Sequence, residues 1–72
     1  MTYTIKSHHG HIIKSGISDP YCAKLDARVH TIGMGGDIAY VWRLSDSGEE
    51  SCIGFADRGY WNSYQTDIRV SD

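Results

Sequence analysis

Polar and apolar positions alternate in several blocks of this chain and follow helical spacing in one. Thr2–Ser7 (Thr-Tyr-Thr-Ile-Lys-Ser) alternates and is rich in β-branched and aromatic residues, which is the composition of a strand. His11–Ser15 reads as its partner, and His8-His9-Gly10 between them supplies a glycine able to take positive φ in a short hairpin loop. Ile38–Leu44 sets Ile38, Tyr40, Trp42 and Leu44 on one face and Ala39, Val41 and Arg43 on the other. Ser45–Glu49 is dense in turn formers, so Ser51–Ala56 is expected to return as the second arm of a hairpin. Tyr64–Val70 then predicts a last strand, with Thr66, Ile68 and Val70 on one face.

Between these blocks, Ser18-Asp19-Pro20 has the form of a helix start. Asp19 can accept a backbone N–H as N-cap, and Pro20 is tolerated at the first helical position, where its missing donor has no intrahelical partner. Helical steps from Tyr21 gather Tyr21, Ile32, Leu25, Val29 and Cys22 into one arc and leave Lys24, Asp26, Arg28 and His30 outside it. Gly33 follows as a C′ residue. The same segment also alternates, with Ala23, Leu25, Ala27 and Val29 on one side, and a strand over residues 23–32 would make the chain a small all-β barrel. Both caps and the Ala/Lys/Leu/Arg composition favour the helix. The expected fold is therefore α+β. It is a small two-layer domain with a β-hairpin, one helix over about residues 20–32 and a three-stranded antiparallel meander, the helix stripe covering one sheet face.

Composition sets the scale of this fold. The chain has 72 residues, 40% hydrophobic and 22% charged, a globular balance that fits one small domain over residues 1–72. A domain this short buries only about 60% of the surface its unfolded chain exposes, so a tight sheet, a disulfide, a metal or a partner is expected to supplement its core. The net charge of −2 argues against nucleic acid as a direct ligand. The charge is uneven, however. Residues 1–36 carry a net +2 and all four histidines, whereas residues 37–72 sum to −4. Cys22 and Cys52 are too few for a secreted disulfide scaffold, and the N-terminal stretch lacks the apolar run of a signal peptide or a membrane span. A cytoplasmic, membrane-free protein with reduced, mostly buried thiols is the expectation.

The candidate chemistry is sparse. His9 and His11 would share a face of an extended backbone, but no local spacing completes a metal site, so no metal or other cofactor is expected and these two imidazoles are the weak alternative. The run Gly33-Met34-Gly35-Gly36 follows a helix and precedes a strand, the reverse of a phosphate cradle. No nucleophile elbow is present, and Asp46, Glu49 and Glu50 lie in a turn-like segment where solvation leaves carboxylates unfit for acid catalysis. The chain is thus not expected to be an enzyme.

Asp57–Tyr64 is the most informative stretch. It packs three large aromatics among Arg, Asn, Ser and Gly between two strands, the residue types of binding hot spots and adaptable paratopes. Arg58, Tyr60, Trp61, Asn62 and Tyr64 are the candidate partner-binding residues. In size and composition, though in no motif, the chain resembles small inhibitors and host-takeover proteins of phages and mobile elements, including anti-CRISPR proteins. That resemblance implies a non-enzymatic inhibitor in the host cytoplasm that covers a functional surface of a larger host protein or complex. A metal- or nucleic-acid-binding regulator using the His-bearing basic N-terminal half is the alternative. An unpaired sheet edge also leaves room for a homodimer.

Overall fold

A computed structural model describes residues 1–33 and 38–64. Its elements are β1 (Thr2–Ser7), β2 (Ile12–Ile17), α1 (Pro20–Gly33), β3 (Ile38–Leu44), β4 (Glu50–Asp57) and β5 (Tyr60–Ser63). The strands form one antiparallel sheet in the order β2-β1-β3-β4-β5. The α+β expectation holds, but the first hairpin and the later strands join into a single five-stranded sheet among the described residues, because β1 pairs with β3 from Thr2↔Leu44 to Ser7↔Ala39. The glycines at 35 and 36 and, apart from Tyr64, the expected strand Tyr64–Val70 lie outside the described residues. The last described strand forms earlier, at Tyr60–Ser63.

The helix begins where the sequence places it. Tyr21 N–H donates to Asp19 Oδ1 at 2.9 Å, and Ala23 N–H donates to the Asp19 carbonyl at 3.1 Å. An ion pair from Lys14 Nζ to Asp26 Oδ2 at 2.9 Å ties the helix to β2. Its orientation overturns the expectation. Ala23 and Ala27 are fully buried and Thr31 nearly so, while Tyr21, Leu25, Val29 and Ile32 are 72%, 45%, 59% and 67% exposed. The helix therefore turns its small side to the sheet and its large apolar side outward.

The reason lies in the sheet face beneath it. Ala39 and Val41 of β3 lie opposite Ala56 and Gly54 of β4, and α1 lies across these two strands. Alanine against alanine lets helix and sheet backbones approach closely, an arrangement that bulky leucine and tyrosine side chains would hold apart. Tyr3, Ile5, Ile17 and Ile53 complete this core, with Ile13 and Trp61 packed against it. Ile53 is the extra residue of a bulge between the Val41↔Gly54 and Trp42↔Cys52 pairs, and its side chain joins the core.

Two hydrogen bonds fasten the end of α1 to the β4–β5 turn, and a third, within the helix, orients the Thr31 hydroxyl. The buried Gly59 N–H donates to Thr31 Oγ1 at 2.9 Å, and that hydroxyl donates to the Arg28 carbonyl at 2.9 Å. Arg28 Nε donates to the Gly59 carbonyl, also at 2.9 Å. Both backbone groups of one turn residue are thus satisfied by one helix.

Candidate functional site

Asp57–Tyr64, expected as a loop between strands, is itself a hairpin. Arg58 and Gly59 both have positive φ, 50° and 85°, the signature of a two-residue type I′ turn whose twist matches the flanking strands. Asp57 then pairs with Tyr60, Ala56 with Trp61, Phe55 with Asn62 and Gly54 with Ser63. Strand alternation consequently sends the five candidate residues to different places. Trp61 faces the helix side, whereas Tyr60 and Asn62 point the other way. Tyr64 follows them and rests on Phe55, with ring centroids 5.6 Å apart. Arg58 is exposed at the turn, its Nε 3.6 Å from Asp57 Oδ1. The five residues do not make one contiguous surface.

Two surfaces emerge instead, one on each side of the sheet. The first joins Trp61 to the outward side of α1. Gly54 has no side chain to occupy the space of the Trp61 ring, since a Cβ there would lie 2.6 Å from it. The ring half-buries beside the helix, with Lys24 Nζ 5.6 Å from its centroid. Tyr21, Lys24, Leu25, Arg28 and Trp61 line a groove of about 120 Å³. The exposed Ile32 lies beside the β4–β5 turn, where a Cβ on Gly59 would meet it, and Val29 stands exposed on the same outward side of α1. Sequence reasoning found the apolar arc but assigned it to the core.

The second surface is the opposite sheet face. Tyr40, Trp42, Phe55 and Tyr64 occupy it, with Tyr40 and Phe55 centroids 5.7 Å apart. Lys6 lies opposite Tyr40 in the register and carries its Nζ 5.0 Å from the Trp42 centroid. Lys6, Ser7, His8, Gly10, Tyr40 and Trp42 surround a cleft of about 380 Å³. Its rim is braced by Ser7, whose Oγ accepts from the His9 and His11 N–H groups at 3.2 Å each. The alternation of β3 pointed to this aromatic set; that it lies away from the helix is a tertiary result.

Neither cysteine thiol is poised as a nucleophile. Cys22 and Cys52 are free thiols, and Cys22 is exposed, contrary to the expectation of mostly buried cysteines, because it belongs to the outward arc of α1. The Asp19 carboxylate, by its charge and its hydrogen bond, raises the Cys22 thiol pKa above its ordinary range; burial raises that of Cys52. Asp46 is held below the usual carboxylate range by its hydrogen bond and ion pair with the N-terminal ammonium, at 2.7 Å. His9 and His11 sit around the tight hairpin turn instead of along one extended strand, and no three His, Cys, Asp or Glu side chains converge as a metal site among the described residues. No described helix is long and apolar enough to cross a membrane. No family model matches the chain, and neither a curated protein nor a solved structure matches it.

Proposed function

We propose that this chain is a non-enzymatic protein-binding domain whose docking surface is the outward side of α1 together with Trp61. The observation that carries the reading is the inversion of the helix. Four large apolar side chains, Tyr21, Leu25, Val29 and Ile32, stand in solvent on a 14-residue element while alanines take the core. Contiguous exposed apolar surface on a small domain marks an interaction site. Lys24 and Arg28 flank the groove, so the matching partner presents an apolar ridge bordered by carboxylates. Trp61 is the anchor in this reading. Arg58 sits toward the turn at its edge, and Tyr60, Asn62 and Tyr64 belong to the other face.

Cysteine-based catalysis has no support in this reading, since the raised pKa values of the two thiols are the opposite of what an activated nucleophile needs. Inhibition of a larger host complex by covering its surface is the finer proposal, and it rests on the small size and the gross resemblance to phage and mobile-element inhibitors. A domain with a modest core also gains stability by mass action when a partner binds its folded state.

The test is site-specific photo-crosslinking in the cells that make the protein, with the reactive group at Leu25 or Val29 and, as control, at Ser47. Discrete adducts with one partner protein from the helix positions, lost on Lys24→Glu, are expected. Adducts from all three positions alike, no adduct, or adducts only between copies of this chain would each overturn the hetero-partner reading.

A further inference from the structure

We infer that the sheet face opposite the helix is a stacking site for a short single-stranded nucleic acid, with bases on Tyr40, Trp42 and Phe55 and a phosphate at Lys6. The rings form a half-buried row across β3 and β4, with Tyr40 and Phe55 centroids 5.7 Å apart and Tyr64 closing the far end against Phe55 at 5.6 Å. Tyr40 and Trp42 are two residues apart on one strand, which spaces their side chains by about 6.6 Å along it. Aromatic rows of this kind on a sheet accept successive bases because every base presents a π-face, and the contact tolerates sequence variation.

Charge complementarity selects this occupant over an uncharged one. The net charge of −2 belongs to the whole chain, but the first 18 residues contain no Asp or Glu and hold Lys6, Lys14, His8, His9 and His11. β1 and the β1–β2 turn place Lys6 and His8 on the wall of the 380 Å³ cleft that Tyr40 and Trp42 complete. The carboxylate facing Lys6 is that of Glu50, at 3.4 Å in a solvent-accessible pair, the kind of contact a phosphate displaces with little loss. The Lys6 ammonium lies over the Trp42 ring, so a base that stacks there takes the place of the ammonium, which stays within side-chain reach of that base's own phosphate. This face lies across the sheet from the proposed protein-docking surface, so either inference can fail without the other.

The experiment uses the 72-residue chain carrying Trp61→Phe, which leaves Trp42 as its single tryptophan. An eight-nucleotide oligouridylate titrated at low salt is expected to quench Trp42 fluorescence saturably, and an RNA duplex of the same length to leave it unchanged. Tyr40→Ala and Phe55→Ala should each weaken binding about tenfold, as loss of one stacked base does. Lys6→Gln, which keeps every ring, should reduce the slope of log K against log salt by about 0.7, the value for one phosphate contact to a single strand. Leu25→Ser on the opposite side should change neither quantity. The proposal is overturned by an absence of saturable quenching in the folded protein, by equal quenching with duplex, by uridine monophosphate binding as tightly as the octamer, or by an unchanged salt slope in Lys6→Gln. A crosslinker at Tyr40 that captures protein and no RNA in cells also overturns it.

Discussion

Asp19 performs two opposed tasks at the start of α1. Its carboxylate caps the helix by accepting from Tyr21 N–H, and the thiol of Cys22 donates to its second oxygen at 3.6 Å. A cysteine in the first turn of a helix ordinarily has its thiolate favoured by the backbone N–H groups, but here the carboxylate repels it and raises the pKa. Asp19→Asn keeps a good cap and removes the charge, so the midpoint of the alkylation rate of Cys22 against pH should move down; an unmoved midpoint would show that Asp19 is not the cause. Asp19→Ala should instead cost about 1 kcal/mol of stability, measured by urea unfolding, through loss of the cap. Thr31 is a second residue whose identity matters beyond its volume. Thr31→Val preserves shape but leaves the buried Gly59 N–H without its acceptor, for a destabilisation of about 1–3 kcal/mol. Equal stability of the two proteins would mean that the helix-to-turn clamp contributes nothing. The Asp19 cap was legible in the sequence because capping is local. The Thr31–Gly59 contact was not, since it joins residues brought together only by the fold.

At the scale of elements, α1 shows what a hydrophobic pattern can and cannot say. The periodicity correctly grouped Tyr21, Cys22, Leu25, Val29 and Ile32 on one side and located the helix within a residue of its observed ends. A period identifies which residues share a face, and it does not identify which face meets the sheet. Here the receiving surface of Ala39, Val41, Gly54 and Ala56 is shallow, and the alanine side of the helix fits it. The two orientations make opposite predictions. Leu25→Ser and Val29→Ser, on the exposed side, should alter the unfolding free energy by no more than about 0.5 kcal/mol. Ala27→Leu, which adds volume at a fully buried position, should cost about 1–3 kcal/mol. The reverse ranking in denaturant melts would restore the inward stripe. β5 was missed for a related reason. Arg58-Gly59 is a less familiar hairpin dipeptide than Asn-Gly, and dense aromatics obscured the alternation of Trp61 and Ser63 against Tyr60, Asn62 and Tyr64.

Across the whole molecule, strand order governs which regions hold and which surfaces are offered. β1, β3 and β4 are flanked on both sides, whereas β2 and β5 are the edges of the described sheet. β2 also pairs irregularly with β1, with register shifts on either side of Ile5, and β5 is only four residues long. Native-state hydrogen exchange should therefore release β2 and β5 amides well before those at the centre of β3; matching protection in β5 and β3 would contradict a sheet that frays from its edges. The same order leaves one face for the helix and another for the aromatic row, so a chain with a small core still presents two chemically different surfaces. From the sequence alone came the α+β class, the first hairpin, the capped helix and the β3–β4 hairpin, because caps, turns and periodicity act over a few residues. Tertiary structure alone decided that the first hairpin joins the central strands in one sheet, that the helix docks on its alanines, and that the aromatic row of Tyr40, Trp42 and Phe55 lies away from the helix. Those outcomes depend on how two surfaces fit when they meet, a property of shape and volume across distant segments that no local pattern encodes.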